Sequence, residues 1–174
     1  EVLTHDGTDL SWAAAGGGGI TVADHWRLSS PFTGDATPIA SNLEQVDTGG
    51  FGGIGSAMTE SSGVFTFPST GVWLIQFQVK QARDGDNRYS WGIISTTVDN
   101  GSTWVGTAVT GNFIQQTSGS ATISQGSCQA IFDVTDTTNC KVRFTVAVAD
   151  SDTQTDGETS RSDTGFMFIR LGDT

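Results

Sequence analysis

Gly63-Val64-Phe65-Thr66-Phe67-Pro68-Ser69-Thr70-Gly71-Val72-Trp73-Leu74-Ile75-Gln76-Phe77 is the stretch that decides the fold. Phe65 and Phe67 are two residues apart, so an extended backbone places both on one face. Pro68-Ser69-Thr70-Gly71 has the composition of a turn. Beyond it Trp73, Ile75 and Phe77 alternate with smaller or polar residues, and Val79 continues the series. A period of two over a run this long is the mark of a strand with one buried face.

The same pattern repeats outward. Thr21 to Leu28, Ile39 to Val46, Tyr89 to Val98, Thr103 to Thr110, Cys128 to Val134, Cys140 to Val148 and Gly165 to Leu171 read as further strands, separated by Gly, Asp, Asn and Ser. No stretch has a convincing 3.6-residue apolar period. With 23 glycines, three prolines and 36% hydrophobic residues, the 174-residue chain reads as an all-β sandwich of about ten strands. Tyr89, Trp91 and Ile93 share a face of their strand, and Lys141, Arg143, Thr145 and Ala147 form the wet outer face of theirs.

Some strands are apolar on both faces. Met167, Ile169 and Leu171 lie behind Phe166 and Phe168, Val72 and Leu74 behind Trp73 and Ile75, and Ile131 behind Phe132. One face packs on the partner sheet. With no helix to cover the other, the simplest cover is an identical subunit. Val72, Leu74, Ile131, Met167, Ile169 and Leu171 are therefore the expected subunit interface.

Nineteen acidic and eight basic residues give a net charge of -11. That balance argues against nucleic acid and against anionic membrane surfaces. No apolar run approaches the ~20 residues of a membrane-spanning helix, so no membrane insertion is expected. The chain opens at Glu1 without an initiator Met, which reads as a processed product or the C-terminal piece of a longer chain. Cys128 and Cys140 sit on what read as two strands of one hairpin, their sulfurs roughly 20 Å apart. A bridge needs a Cα separation under about 7 Å, so two buried free thiols are expected, suited to assembly in a reducing cytoplasm.

Residues 1–19 read as a separate unit from the domain at 20–174. Val2 to Trp12 is two short strands around Asp6-Gly7, and Gly16 to Gly19 follow as a hinge.

The stretch from Gly63 to Phe77 resembles the central signature of the complement globular-head and tumour-necrosis-factor superfamily, with Trp73 where Tyr is usual. Ser162-Asp163-Thr164-Gly165-Phe166-Met167-Phe168-Ile169 resembles that family's closing strand. The resemblance covers about residues 21–172 and implies a ten-stranded jelly-roll sandwich that associates as a homotrimer. Leu3 to Trp12, followed by Ala and Gly, is similar to stretches that precede head domains in tailed-phage fibre and virion surface proteins. Together these imply a homotrimeric head with a short N-terminal β connector, exposed on a virion surface and joined through its N-terminus to other virion proteins. The head is expected to act in host attachment as a fibre tip or knob, binding a cell-surface glycan or protein. A capsid decoration or fibre-assembly module without a ligand is the alternative, and a secreted cytokine-like or lectin-like module a further one.

Strand direction gathers the loops at 81–88, 111–126 and 150–163 at one end, and the turns at 68–71, 99–101 and 135–139 at the other. Ligand contacts are expected on the longer loops, from Arg83, Asp84, Asp86, Asn87, Asp152, Asp156, Glu158 and Arg161, with Tyr89 and Phe113 stacking on a sugar. Asp150, Asp152 and Asp156 offer closely spaced carboxylates to calcium, but their spacing does not match an EF-hand. No catalytic constellation is present, so no enzyme is expected. His25 beside Trp26 suits packing, no Gly-x-Ser-x-Gly elbow occurs, and Asp84 and Asp86 read as a solvated turn.

Overall fold

The computed structural model describes residues 2–5, 10–13, 19–117 and 119–174. Strands β1 (Val2–His5) and β2 (Leu10–Ala13) pair antiparallel, His5 opposite Leu10, as a two-stranded sheet of their own. The expected turn at Asp6-Gly7 and most of the glycine hinge lie outside the described residues.

The remaining strands are β3 (Ala23–Leu28), β4 (Phe32–Thr33), β5 (Leu43–Gln45), β6 (Thr59–Ser61), β7 (Val64–Thr66), β8 (Gly71–Arg83), β9 (Asn87–Thr97), β10 (Val105–Ile114), β11 (Thr122–Val134), β12 (Lys141–Val148), β13 (Gln154–Thr155) and β14 (Gly165–Gly172). They form two sheets. Five strands run in the order β10-β9-β12-β7-β6. In the seven-stranded sheet β8 lies between β11 on one side and β14 and β13 on the other, with β3, β4 and β5 beyond. All pairings are antiparallel, and the chain passes repeatedly from one sheet to the other, as a jelly roll does.

The alternation in the deciding stretch becomes the core. Trp73, Ile75 and Phe77 of β8 are fully buried, as are Phe65 of β7 and Phe166 and Phe168 of β14. Phe144 of β12 stands 4.5 Å from Phe166, and Phe77 stacks on Phe166 with centroids 5.3 Å apart and planes 10° from parallel. Each such ring contributes about 1.5–3 kcal/mol by leaving water, with favourable pair geometry in addition.

Two expectations need correction. Cys128–Val134 and Cys140–Val148 do not form a hairpin. β11 lies along β8 over its whole length, whereas β12 sits between β7 and β9 in the opposite sheet. Each strand has an inward apolar face, and burying both is done by facing them across the sandwich. The turn at 135–140 therefore crosses between sheets. Both cysteines are nonetheless buried and free.

The second concerns the outer face of β12, where Thr145 is buried rather than wet. On β9 Tyr89, Trp91 and Ile93 share a face as expected, and it is the outer one, with Tyr89 38% and Trp91 44% exposed. Inward stand Ser90, Gly92 and Ile94. Gly92 is the cause: a Cβ there would lie 2.9 Å from Val79 and 3.0 Å from Phe77. The opposite sheet presses so close that β9 must present its small residues to it.

Candidate functional site

The expected gathering of loops is present. Arg83, at the end of β8, pairs with Asp150 after β12 (Nη2 to Oδ2, 2.6 Å) and donates through Nη1 to the Asp86 carbonyl. Gln116, between β10 and β11, donates its side-chain amide to Asp84 (2.6 Å) and its backbone N–H to Asp86 (2.7 Å). Three loops from distant parts of the sequence are thus tied at one end of the sandwich. A shallow cleft of about 190 Å³ lies between Arg83, Asp84, Asp152 and Gln154. At the opposite end the backbone N–H of Asn100 donates to the Asn139 carbonyl, and Gly71 stands opposite Val134.

The expected ligand residues divide into groups. Arg83, Asp84, Asp86 and Asp152 belong to this cluster. Asp156, Glu158 and Arg161 belong to a second one, built on Lys80. The Lys80 ammonium lies 3.1 Å from Asp156 and 3.0 Å from Asp163, and Arg161 also grips Asp163 at 3.0 Å. Hydrogen bonds that the Lys80 ammonium donates to Asp163 and Asp156 raise its pKa, while Arg161 and then Lys80 hold the Asp163 carboxyl below its ordinary range. Glu158 anchors its loop through its backbone N–H to Leu28.

Asn87 does not present its side chain to solvent. It is fully buried, accepts from the backbone N–H of Ala149 (3.0 Å) and Asp150 (3.1 Å), and donates to Ser90. It positions the loop that carries Asp150 and Asp152. Tyr89 and Phe113 are exposed but lie on strands. β10 runs on to Ile114, so Phe113 is on the sheet edge and not in the loop.

The calcium expectation does not fit. Asp150 is taken by Arg83 and by the N–H of Asp152, and Asp156 by Lys80 and Gln154. Asp150 and Asp156 each face a cation of the protein, and no group of three or more His, Cys, Asp or Glu able to hold a metal occurs among the described residues. His25 packs edge-on against Phe51, with centroids 5.9 Å apart. Burial, then Arg27, lowers its pKa.

The expected subunit interface lies on the outer face of the seven-stranded sheet. Register places Ile131, Leu74, Ile169 and Ala23 in one row across β11, β8, β14 and β3. Ile131 is 65% exposed. The adjoining row is Gln129, Gln76, Met167 and His25, around a pocket of about 150 Å³. The face is thus one apolar row beside a polar one, less apolar than β14 alone suggested. Val72 pairs with Asp133, and Leu171 is exposed at the bulge where β14 loses register with β8.

These sheets and loops define a two-sheet jelly roll whose long loops gather at one end. Its nearest descriptions are structural. The fold matches the structure of Eiger TNF from S. frugiperda at a TM-score of 0.59 and 13% identity, covering 89% of this chain and 95% of that one. It matches murine APRIL, solved at pH 8.5 and pH 5.0, at a TM-score of 0.54 in both. Identities there are 11% and 12%, with 86% of this chain and 98% of that one covered. The fold is the TNF-like jelly roll. No family model and no curated protein matches the sequence.

Proposed function

We propose that the protein is a non-enzymatic recognition head: a homotrimeric jelly roll that binds a cell-surface ligand through the loop cluster around Arg83. The observation that carries this reading is the clasp of Gln116 on Asp84 and Asp86 and of Arg83 on Asp150. It holds three loops in fixed relation on a rigid scaffold, as a binding surface requires. Self-association is supported by the exposed row through Ile131, Leu74 and Ile169, and three copies would give the head avidity. The similarity of Leu3 to Trp12 to phage fibre segments supports a place at the tip of a virion fibre, residues 1–19 being the connector.

Light scattering tests the assembly: a stable species near three times the 18.2 kDa chain mass is expected, and a monomer would overturn the trimer. Adsorption of purified heads to candidate host cells tests recognition. Heads with the 84–86 and 150–153 segments exchanged for unrelated turns should lose it, and unchanged adsorption would overturn the loop assignment. The likeness to Eiger TNF and APRIL favours a second reading, a cytokine-like ligand for a cell receptor. Antibody labelling of intact virions separates the two.

A further inference from the structure

The outer face of the five-stranded sheet carries chemistry that the loop cluster does not use. Strand β12 turns Lys141, Arg143, Thr145 and Ala147 that way, Thr145 buried and the other three half-buried. Their register neighbours on β7 and β9 are Thr66, Val64, Thr97, Ser95, Ile93 and Trp91. In a chain with 19 acids and eight bases, these rows carry two bases and no acid, and the carboxylate beside them, Asp99, accepts from the Thr97 hydroxyl at 2.6 Å.

Arg143 is the residue that asks for a ligand. Its guanidinium carbon lies 4.4 Å from the centre of the Trp104 ring. Its Nε is buried and without a hydrogen-bond partner, and it forms no ion pair among the described residues. Burial lowers its pKa. Two registers along, the Lys141 ammonium meets only neutral oxygens, Thr66 Oγ1 at 3.1 Å and the Thr137 carbonyl at 2.9 Å. A partly dehydrated guanidinium placed over an indole is pre-organised for a planar anion.

The other end of the face is aromatic. Trp91 lies four residues from Ser95, the partner of Arg143, or roughly 13 Å along β9. Gly111 stands opposite Trp91 with open space where a Cβ would be, and Trp91 is an exposed aromatic. Tyr89 adjoins it, with centroids 6.4 Å apart and planes at 69°.

We propose that this face binds a carboxylated oligosaccharide, one sugar ring stacking on Trp91 with Tyr89 at its edge and a carboxylate received by Arg143 and Lys141. The spacing of cations from rings suits a ligand a few sugars long. Local charge selects an acidic ligand, and the net charge of -11 selects against a densely charged one, because repulsion from the whole chain grows with every added anion. Two cations are also too few to hold nucleic acid.

Tryptophan fluorescence tests this directly, since Trp91 and Trp104 both belong to the site. Sialyllactose and a trisaccharide with a single terminal galacturonate are the probes, and their methyl esters, a poly-glutamate peptide and a single-stranded oligonucleotide the controls. A saturable change with at least one probe is expected. It should weaken at least tenfold in R143Q, in W91A and on methyl esterification, and by a smaller factor in K141Q. Thermal midpoints of the variants establish that they remain folded. No saturable change with either probe would overturn the proposal. So would undiminished binding by folded R143Q and W91A, or an equal response to poly-glutamate or the oligonucleotide, which would assign the face to an acidic protein or a nucleic acid. The assay requires neither a trimer nor the Arg83 cluster, so its failure leaves the loop reading standing.

Discussion

Arg83 reaches Asp150 across 67 positions of sequence and holds it at 2.6 Å, an ion pair that joins the Asn87 hydrogen bonds in tying the β8–β9 loop to the loop after β12. The Asp150 carboxyl is held below its ordinary range by the backbone N–H of Asp152 and by Arg83. A carboxyl whose pKa is depressed by folding contributes its full stabilisation above the unfolded value and loses it as pH falls through the folded one. The clasp should therefore persist from neutral pH to about pH 5 and fail only below the ordinary carboxylate range near 4. Hydrogen exchange of the amides at 150–154 should be flat over the first interval and rise in the second. R83Q should raise exchange there already at pH 7. Exchange that rises between pH 7 and 5 would mean that another group controls these loops.

A second carboxylate, Asp24, is used differently. It is 3% exposed and accepts four hydrogen bonds: from the Trp26 indole (2.8 Å), the Gln45 amide (2.7 Å) and the backbone N–H groups of Met58 (2.8 Å) and His25 (3.0 Å). It joins β3, β5 and the approach to β6. D24A leaves several donors unpaired in a buried place and should cost about 2–4 kcal/mol. For a domain of this size that lowers the midpoint by roughly 5–15 °C. A scan showing a shift of under 2 °C would mean that water replaces the carboxylate.

Much of this was legible in the sequence, and the exceptions share a cause. Alternation identified the inward residues of β8 and β14 because a period of two needs no partner to be read. Strand direction identified which loops share an end. Partners across the sandwich were not legible: the strands of Cys128 and Cys140 looked like the two arms of one hairpin because both alternate, and only the apposition of two sheets separates β11 from β12. The outward turn of Trp91 depends on how closely Val79 and Phe77 approach Gly92, which is a property of the opposite sheet. Within the candidate site, Arg83 and the acidic loop residues were singled out, but Gln116 was not. A glutamine in a polar loop gives no sign that it will clasp Asp84 and Asp86. Arg143 and Trp104 lie 39 positions apart, and nothing in their spacing announces a stack.

The thiols give a third test. Cys128 lies beneath Gly92, its Sγ 3.7 Å from that carbonyl, and burial pushes its pKa up. Cys140 is also buried. The thiolate is the reactive form, so neither should react with a disulfide reagent at pH 8 in the native protein, and both should react once it is unfolded. Rapid labelling of one thiol in the native state would reveal local opening near the turn at 135–140.

Gly63 opens the deciding stretch and Gly71 opens β8 within it, and their backbones explain why glycine stands there. Gly63 has φ +81°, and a Cβ there would lie 2.3 Å from the Ile39 carbonyl oxygen; Gly71 has φ +136°, with the Gly172 carbonyl 2.5 Å from the same point. Both meet backbone, which cannot rotate away as a side chain does. G63A and G71A should therefore each destabilise by more than the ~1 kcal/mol that alanine costs at an unobstructed positive-φ site. G111A, at a glycine with open space around it, should leave the midpoint within about 2 °C and serves as the control. Equal tolerance of all three would mean that the segment at Ile39 can move off the β6–β7 turn and the end of β14 off the start of β8.

The subunit interface makes the last prediction. Leu74 is the centre of the outward row, with Ile131 on one side and Ile169 on the other, and its half-buried side chain supports no part of the inward core. L74E places a charge on that face without touching the packing behind it. If three chains meet over this row, the variant should sediment near the 18.2 kDa monomer mass while the wild-type does not, because each buried carboxylate would lack a counter-charge. Its far-ultraviolet circular dichroism should match the wild-type. An unchanged trimer would place the contact elsewhere, and the exposed edge strands β10 and β11, with Val109 at 47%, Phe113 at 67% and Ile123 at 59% exposure, are then the surfaces to substitute next.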